Sequence, residues 1–86
     1  MTRTVYINLT DINPLQQEIM LFIQGWVRKE KTPVPQKEII AGMGRAGKKS
    51  FTVINSIKGL LTKGYIRRAY MISNKTYYVQ LRSINL

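Results

Sequence analysis

Residues 52–68, Thr-Val-Ile-Asn-Ser-Ile-Lys-Gly-Leu-Leu-Thr-Lys-Gly-Tyr-Ile-Arg-Arg, constrain the fold of this chain more than any other stretch. Val53, Ile57, Leu60 and Leu61 recur at helical spacing, with Ile54 at the edge of the stripe. Gly64 then supplies the residue type that ends helices in a left-handed turn. Tyr65 and Ile66 open a β-rich run that leaves carrying Arg67 and Arg68. An amphipathic helix must therefore pass directly into a basic strand.

The remaining elements follow from local chemistry. Residues 4–9, Thr-Val-Tyr-Ile-Asn-Leu, mix β-branched and aromatic side chains and predict a short strand. Asn13 can cap a helix whose first residue is Pro14, where a missing N–H costs nothing. Leu15, Ile19, Phe22, Ile23, Trp26 and Val27 form the apolar stripe of that helix to about residue 30, widened by Met20 and Leu21 and weakened slightly by Gly25. Pro33 and Pro35 separate it from a second helix over about 35–43, with Ile39, Ile40 and Met43 as its apolar face and Gly44 as its stop. Arg45 to Lys49 reads as a basic, glycine-bearing turn, and Ser50 as the N-cap of a third helix over about 51–63. Runs at 65–72 and 76–82, joined by Ser73-Asn74-Lys75, predict a hairpin. Alternation puts Ile66, Val79 and Leu81 in the core, with Tyr70, Tyr77 and Tyr78 packing around the sheet. The order strand, helix, helix, helix, hairpin is an α+β arrangement. It matches a winged helix-turn-helix with an extra N-terminal strand, in one domain over 1–86.

Composition narrows the function. The 86 residues include no cysteine and no histidine, which removes thiolate and imidazole metal ligands and the commonest general base. Four carboxylates, none forming an obvious acid–base pair, make an enzyme the least favoured class, and no cofactor or metal is expected. No apolar run approaches the roughly 20 residues that span a bilayer, and nothing at the start resembles a secretion signal. The expectation is a soluble cytoplasmic protein, associated with the nucleoid or, if viral, in the host cytoplasm.

Charge is distributed unevenly. Arg3, Arg28, Lys29, Lys31 and Lys37 face Asp11, Glu18, Glu30 and Glu38 in residues 1–44, a balance of +1. Arg45, Lys48, Lys49, Lys58, Lys63, Arg67, Arg68, Lys75 and Arg82 stand unopposed in residues 45–86, a balance of +9. A solvated, solubilising face is the plainer explanation. A second half with no carboxylate points instead to a polyanionic partner. A membrane-surface role would concentrate the cations on one amphipathic helix, whereas here they spread over a turn, a helix and a hairpin.

Several strings resemble the N-terminal DNA-binding domain of the LexA repressor family. They are Leu9-Thr10, Gln16-Gln17-Glu18-Ile19, Phe22-Ile23, Pro33 and Pro35, Glu38-Ile39, Met43-Gly44, Thr52-Val53, Ile57, Leu60, Thr62-Lys63-Gly64 and Ile66-Arg67-Arg68. The match covers roughly residues 9–70. Around Asp11 to Pro14 the chain has three extra residues, its turn before the third helix is longer and more basic, and a strand precedes the usual start. The 86 residues hold no counterpart of the family's C-terminal domain, so Ser-Lys self-cleavage is not implied. What the resemblance implies is the DNA-reading module alone, as a small phage, virus or plasmid regulator would use it.

In a helix-turn-helix the last helix enters the major groove with its N-terminal residues at the base edges. The base-contact candidates are accordingly Ser50, Phe51, Thr52, Asn55 and Ser56, with Gly59 one turn on. Asn55 can pair bidentately with adenine, and Thr52 can bond a base or touch a thymine methyl. A solvated helix position is the plain alternative for Asn55, and core packing is the preferred reading of Phe51 and Ile54. Arg45, Lys48, Lys49, Lys58, Arg67, Arg68 and Lys75 are the candidate backbone contacts, with Lys75 at the wing tip reaching phosphate or the minor groove and only one of the adjacent Arg67 and Arg68 directed at DNA. The 44–50 turn lacks the preceding strand and the glycine spacing of a nucleotide-binding loop. Reading an operator usually takes a symmetric dimer, and Val5, Tyr6, Ile7 and Leu9 are placed either to form one or to complete the sheet. The expected partner is double-stranded DNA, recognised by sequence, with a repressor's role in transcription. Sequence-indifferent binding in replication or packaging, and a protein-binding adaptor acting on a host regulator or polymerase, are the competing readings.

Overall fold

The computed structural model describes residues 12–73 and 75–81. They form three helices and a three-stranded antiparallel sheet: α1 Pro14–Glu30, β1 Val34–Pro35, α2 Gln36–Arg45, α3 Ser50–Thr62, β2 Ile66–Ile72 and β3 Lys75–Gln80. The expected strand over 4–9, and with it Val5, Tyr6, Ile7 and Leu9, lies outside the described residues.

The α1 helix starts as its sequence requires. Asn13 Oδ1 accepts from the Gln16 N–H at 2.8 Å, and Gln16 Oε1 accepts from the Asn13 N–H at 3.1 Å, a reciprocal capping box around Pro14. Gln16 does more than cap. Its Nε2 reaches the Ser56 carbonyl at 3.4 Å, tying α1 to α3 inside the fold. The helices close on one another at two glycines. A Cβ on Gly59 would meet Gln16 Nε2 at 2.5 Å, and one on Gly42 would meet the Phe22 ring at 2.5 Å. Around these approaches Ile19, Met20, Ile23, Ile39, Met43, Val53, Ile57 and Leu60 form one core.

The exit from α3 is a Schellman motif. Gly64 adopts φ +80, its N–H donates to Leu61 O at 3.1 Å, and the Tyr65 N–H donates to Leu60 O at 3.0 Å. Leu60 and Tyr65, which bracket the motif, are both fully buried. The chain is thereby aimed into β2 with Ile66 already in the core. Strand order is β1-β3-β2, with β2 and β3 as the hairpin and β1 added on the far side of β3.

Four local expectations need correction. Pro35 is extended and precedes the second helix, pairing with Tyr77 as part of a strand too short to give a sequence pattern. That helix runs through Gly44 to Arg45, because a glycine lowers helix propensity without forbidding it. Ser50 is the first helical residue; Lys49 occupies the cap position and supplies no side-chain cap. Leu81 lies beyond β3 and is 56% exposed, and Val79 is only half-buried. The tyrosines divide because Ala69 is a bulge: Arg68 pairs with Tyr78 but Tyr70 with Tyr77. Tyr78 is in the core, whereas the bulge turns Tyr70 to the face of Tyr77, and their rings meet tilted at 32° and 4.8 Å outside the core.

Replacing Gly64 by alanine is expected to cost about 1–2 kcal/mol, the strain of a left-handed conformation with a Cβ. Denaturant unfolding reads this directly. Unchanged stability would mean that the cap does not hold the helix–hairpin junction.

Candidate nucleic-acid interface

Burial of Val53, Ile57 and Leu60 settles which way α3 faces. Phe51, Asn55, Lys58 and Thr62 are left as an exposed stripe at four- and three-residue spacing, with Ser50 and Thr52 exposed beside it. Phe51 is 74% exposed, so the expected core role is wrong; it sits in the first turn, ahead of the buried stripe. Ser56 is also corrected. It is 8% exposed, packed where α1 crosses α3, and cannot face a ligand. Gly59 belongs to the same crossing rather than to the outer face.

The start of α3 gathers positive charge and open backbone donors. The preceding turn is wound tightly: Met43 O accepts from Ala46 and Lys48 N–H groups at 3.0 and 3.1 Å, and Gly47 takes φ +87. Lys48 and Lys49 are left exposed at the end of that turn. Lysine has no hydrogen-bond acceptor, so the cap position cannot occupy the first N–H groups of the helix as Asn13 does in α1. Open N–H groups, the positive end of a helix and two ammonium groups coincide there.

Two further cationic depressions adjoin the hairpin. Lys58, Leu61, Thr62 and Arg68 line one, between α3 and β2. Arg67 pairs with Val79 and Arg68 with Tyr78, so the two arginines alternate across the strand and Arg68 is the one beside α3. Gln36, Lys37, Ile40, Lys75 and Thr76 line the other, at the start of α2. Lys37 was not among the sequence candidates. It lies in the electrically balanced half of the chain, and only the fold brings it to Lys75. Arg45 departs in the opposite sense: it lines a groove between α1 and α2 together with Glu30 and Glu38. At the hairpin end Met71 and Ile72 are exposed next to Lys75, which pairs with Ile72.

Tyr78 ties the hairpin to α2 by donating its hydroxyl to Gln36 Oε1 at 2.7 Å. Burial raises its pKa above the usual phenol value, and the nearby Arg68 charge partly opposes that shift.

No protein-family model, curated protein or solved structure matches the chain. Among the described residues no helix is long and apolar enough to cross a membrane. No group of three or more potential metal-ligating His, Cys, Asp or Glu side chains occurs there either.

A raised folded-state pKa for Tyr78 means that its contribution to stability is complete below the unfolded phenol value. That contribution is lost as pH rises through the folded value. Wild-type protein is therefore expected to lose stability in the alkaline range, as followed by unfolding against phenolate absorbance. Tyr78→Phe should flatten that dependence and cost about 1 kcal/mol at neutral pH through the lost hydrogen bond. An unaltered alkaline profile in the variant would remove Tyr78 from this role.

Proposed function

We propose that this chain is a winged helix-turn-helix protein of LexA-like type that binds double-stranded DNA by sequence and regulates transcription as a repressor. In this reading α2 and α3, joined by the four-residue turn 46–49, are the helix-turn-helix, and β2–β3 is the wing. The observation that carries it is the outer face of α3. It bears Thr52, Asn55 and Lys58, has no carboxylate, and begins at an uncapped terminus flanked by Lys48 and Lys49.

The roles divide by chemistry. Asn55 is the bidentate adenine reader, while Thr52 and the exposed Phe51 suit thymine methyl groups. Ser50, in the first turn, joins the base-facing set. Lys48 and Lys49 grip phosphate at the helix start, Lys58 and Arg68 grip it between α3 and the wing, and Lys37 and Lys75 at the wing's far end. Arg67 lies on the other side of the strand and contributes long-range attraction. With about six to eight cations at phosphates, log–log salt dependence should have a slope of roughly −5 to −7. Sequence-indifferent packaging would use the same cations and ignore Asn55. An adaptor acting on a host regulator or polymerase would be insensitive to both.

Titration of labelled duplexes separates these. Asn55→Ala is expected to relax preference at one or two base pairs, at a cost of about 1–3 kcal/mol on the preferred sequence only. Replacing both Lys48 and Lys49 by alanine should weaken all duplexes alike and reduce the salt slope by about two. Equal losses in the two variants on every duplex would overturn the division between base reading and phosphate binding.

A further inference from the structure

The groove between α1 and α2 differs from the rest of the surface. Its apolar floor is Phe22 and Trp26, stacked at 6.4 Å and 25°, continued by Leu21, which is 39% exposed. Its rim holds Lys29 and Arg45 against Glu30 and Glu38, a net charge of zero on a chain of net charge +10. An apolar centre with a rim carrying both signs of charge is the anatomy of a protein interface.

Gly25 adds an independent observation. It lies mid-helix in the same groove, where glycine costs helix stability, and a Cβ there would meet nothing within 4 Å. The contrast is with Gly42 and Gly59, whose Cβ atoms would collide with Phe22 and Gln16. Gly44 is equally open, so among the described residues packing does not require Gly25 to be small; its lack of a side chain widens the groove floor beside Trp26.

We infer that this groove is a self-association surface, occupied by the same groove of a second copy about a two-fold axis. Charge argues for a copy of this chain. Two strongly cationic molecules repel, and here they can meet through a patch that adds no net charge to that repulsion while Lys48, Lys49 and Lys58 stay outside it. Order along the helix argues for two-fold symmetry. Glu38 and Arg45 are seven residues apart on α2, about 10 Å, too far to pair with each other and two turns apart on one face. Antiparallel apposition brings Glu38 of each copy to Arg45 of the other, which is the self-complementarity that a two-fold interface needs. The groove is small, so association is weak and depends on concentration. Arg45 is thereby assigned to the second copy rather than to DNA.

The test needs no DNA and does not depend on the DNA reading. Sedimentation equilibrium of the full chain from low micromolar to millimolar concentration should show the mass rising from one chain to two. Emission of Trp26, the one tryptophan, should shift to the blue in step. Gly25→Gln puts a better helix former in the groove, so it should melt no lower than wild type yet associate at least about tenfold more weakly. Arg45→Glu should also weaken association at least about tenfold, and adding Glu38→Arg to it should restore most of the loss. A chain that stays monomeric throughout overturns the inference. So does a dimer that Gly25→Gln and Arg45→Glu both leave intact, which would locate association elsewhere.

Discussion

The crossing of α1 over α3 at Gly59 is the contact on which the rest depends. With no Cβ in the way, Gln16 reaches across to the Ser56 carbonyl, and Val53, Ile57 and Leu60 sink into a shared core with Ile19 and Ile23. Once that face is committed, the rotation of α3 about its axis is determined. Thr52, Asn55 and Lys58 must then look outward. A larger residue at Gly59 would displace the Gln16 amide and break its bond to the Ser56 carbonyl.

The junction after α3 transmits this orientation to the hairpin. Gly64 turns the chain sharply enough that Tyr65 and Ile66 remain in the core, and Tyr78 carries the opposite strand back to α2 through Gln36. Helix and hairpin are thus joined through one core. The cations of the second half are displayed along it at the helix start, beside β2 and at the hairpin end. Among the described residues the carboxylates lie on other elements: Glu18 and Glu30 on α1, and Glu38 on α2.

The long, strongly patterned elements were legible in the sequence. Asn13-Pro14 and the following stripe mark α1, and the apolar spacing ending at Gly64 marks α3, because local chemistry and tertiary burial agree there. What was not legible depended on distant partners. Two residues of β1 have no pattern of their own and become a strand only against Tyr77 and Tyr78. Ser56 falls on the inward side of α3, where a polar residue looks like a ligand contact until α1 is seen lying over it. The bulge at Ala69 reverses the facing of Tyr70, which no alternation rule anticipates. In the candidate site, Lys48, Lys49 and Lys58 could be found from charge and helix position. Lys37 could not, because its neighbour Lys75 is remote in the chain.

The central claim is that α3 reads duplex sequence. Selection from a random duplex pool at near-physiological salt, followed by sequencing of what stays bound, tests it most directly. The account predicts a recovered motif, with half-sites about one helical turn apart if two copies bind together. A retained pool with no motif, or no retention of duplex at all, would contradict it.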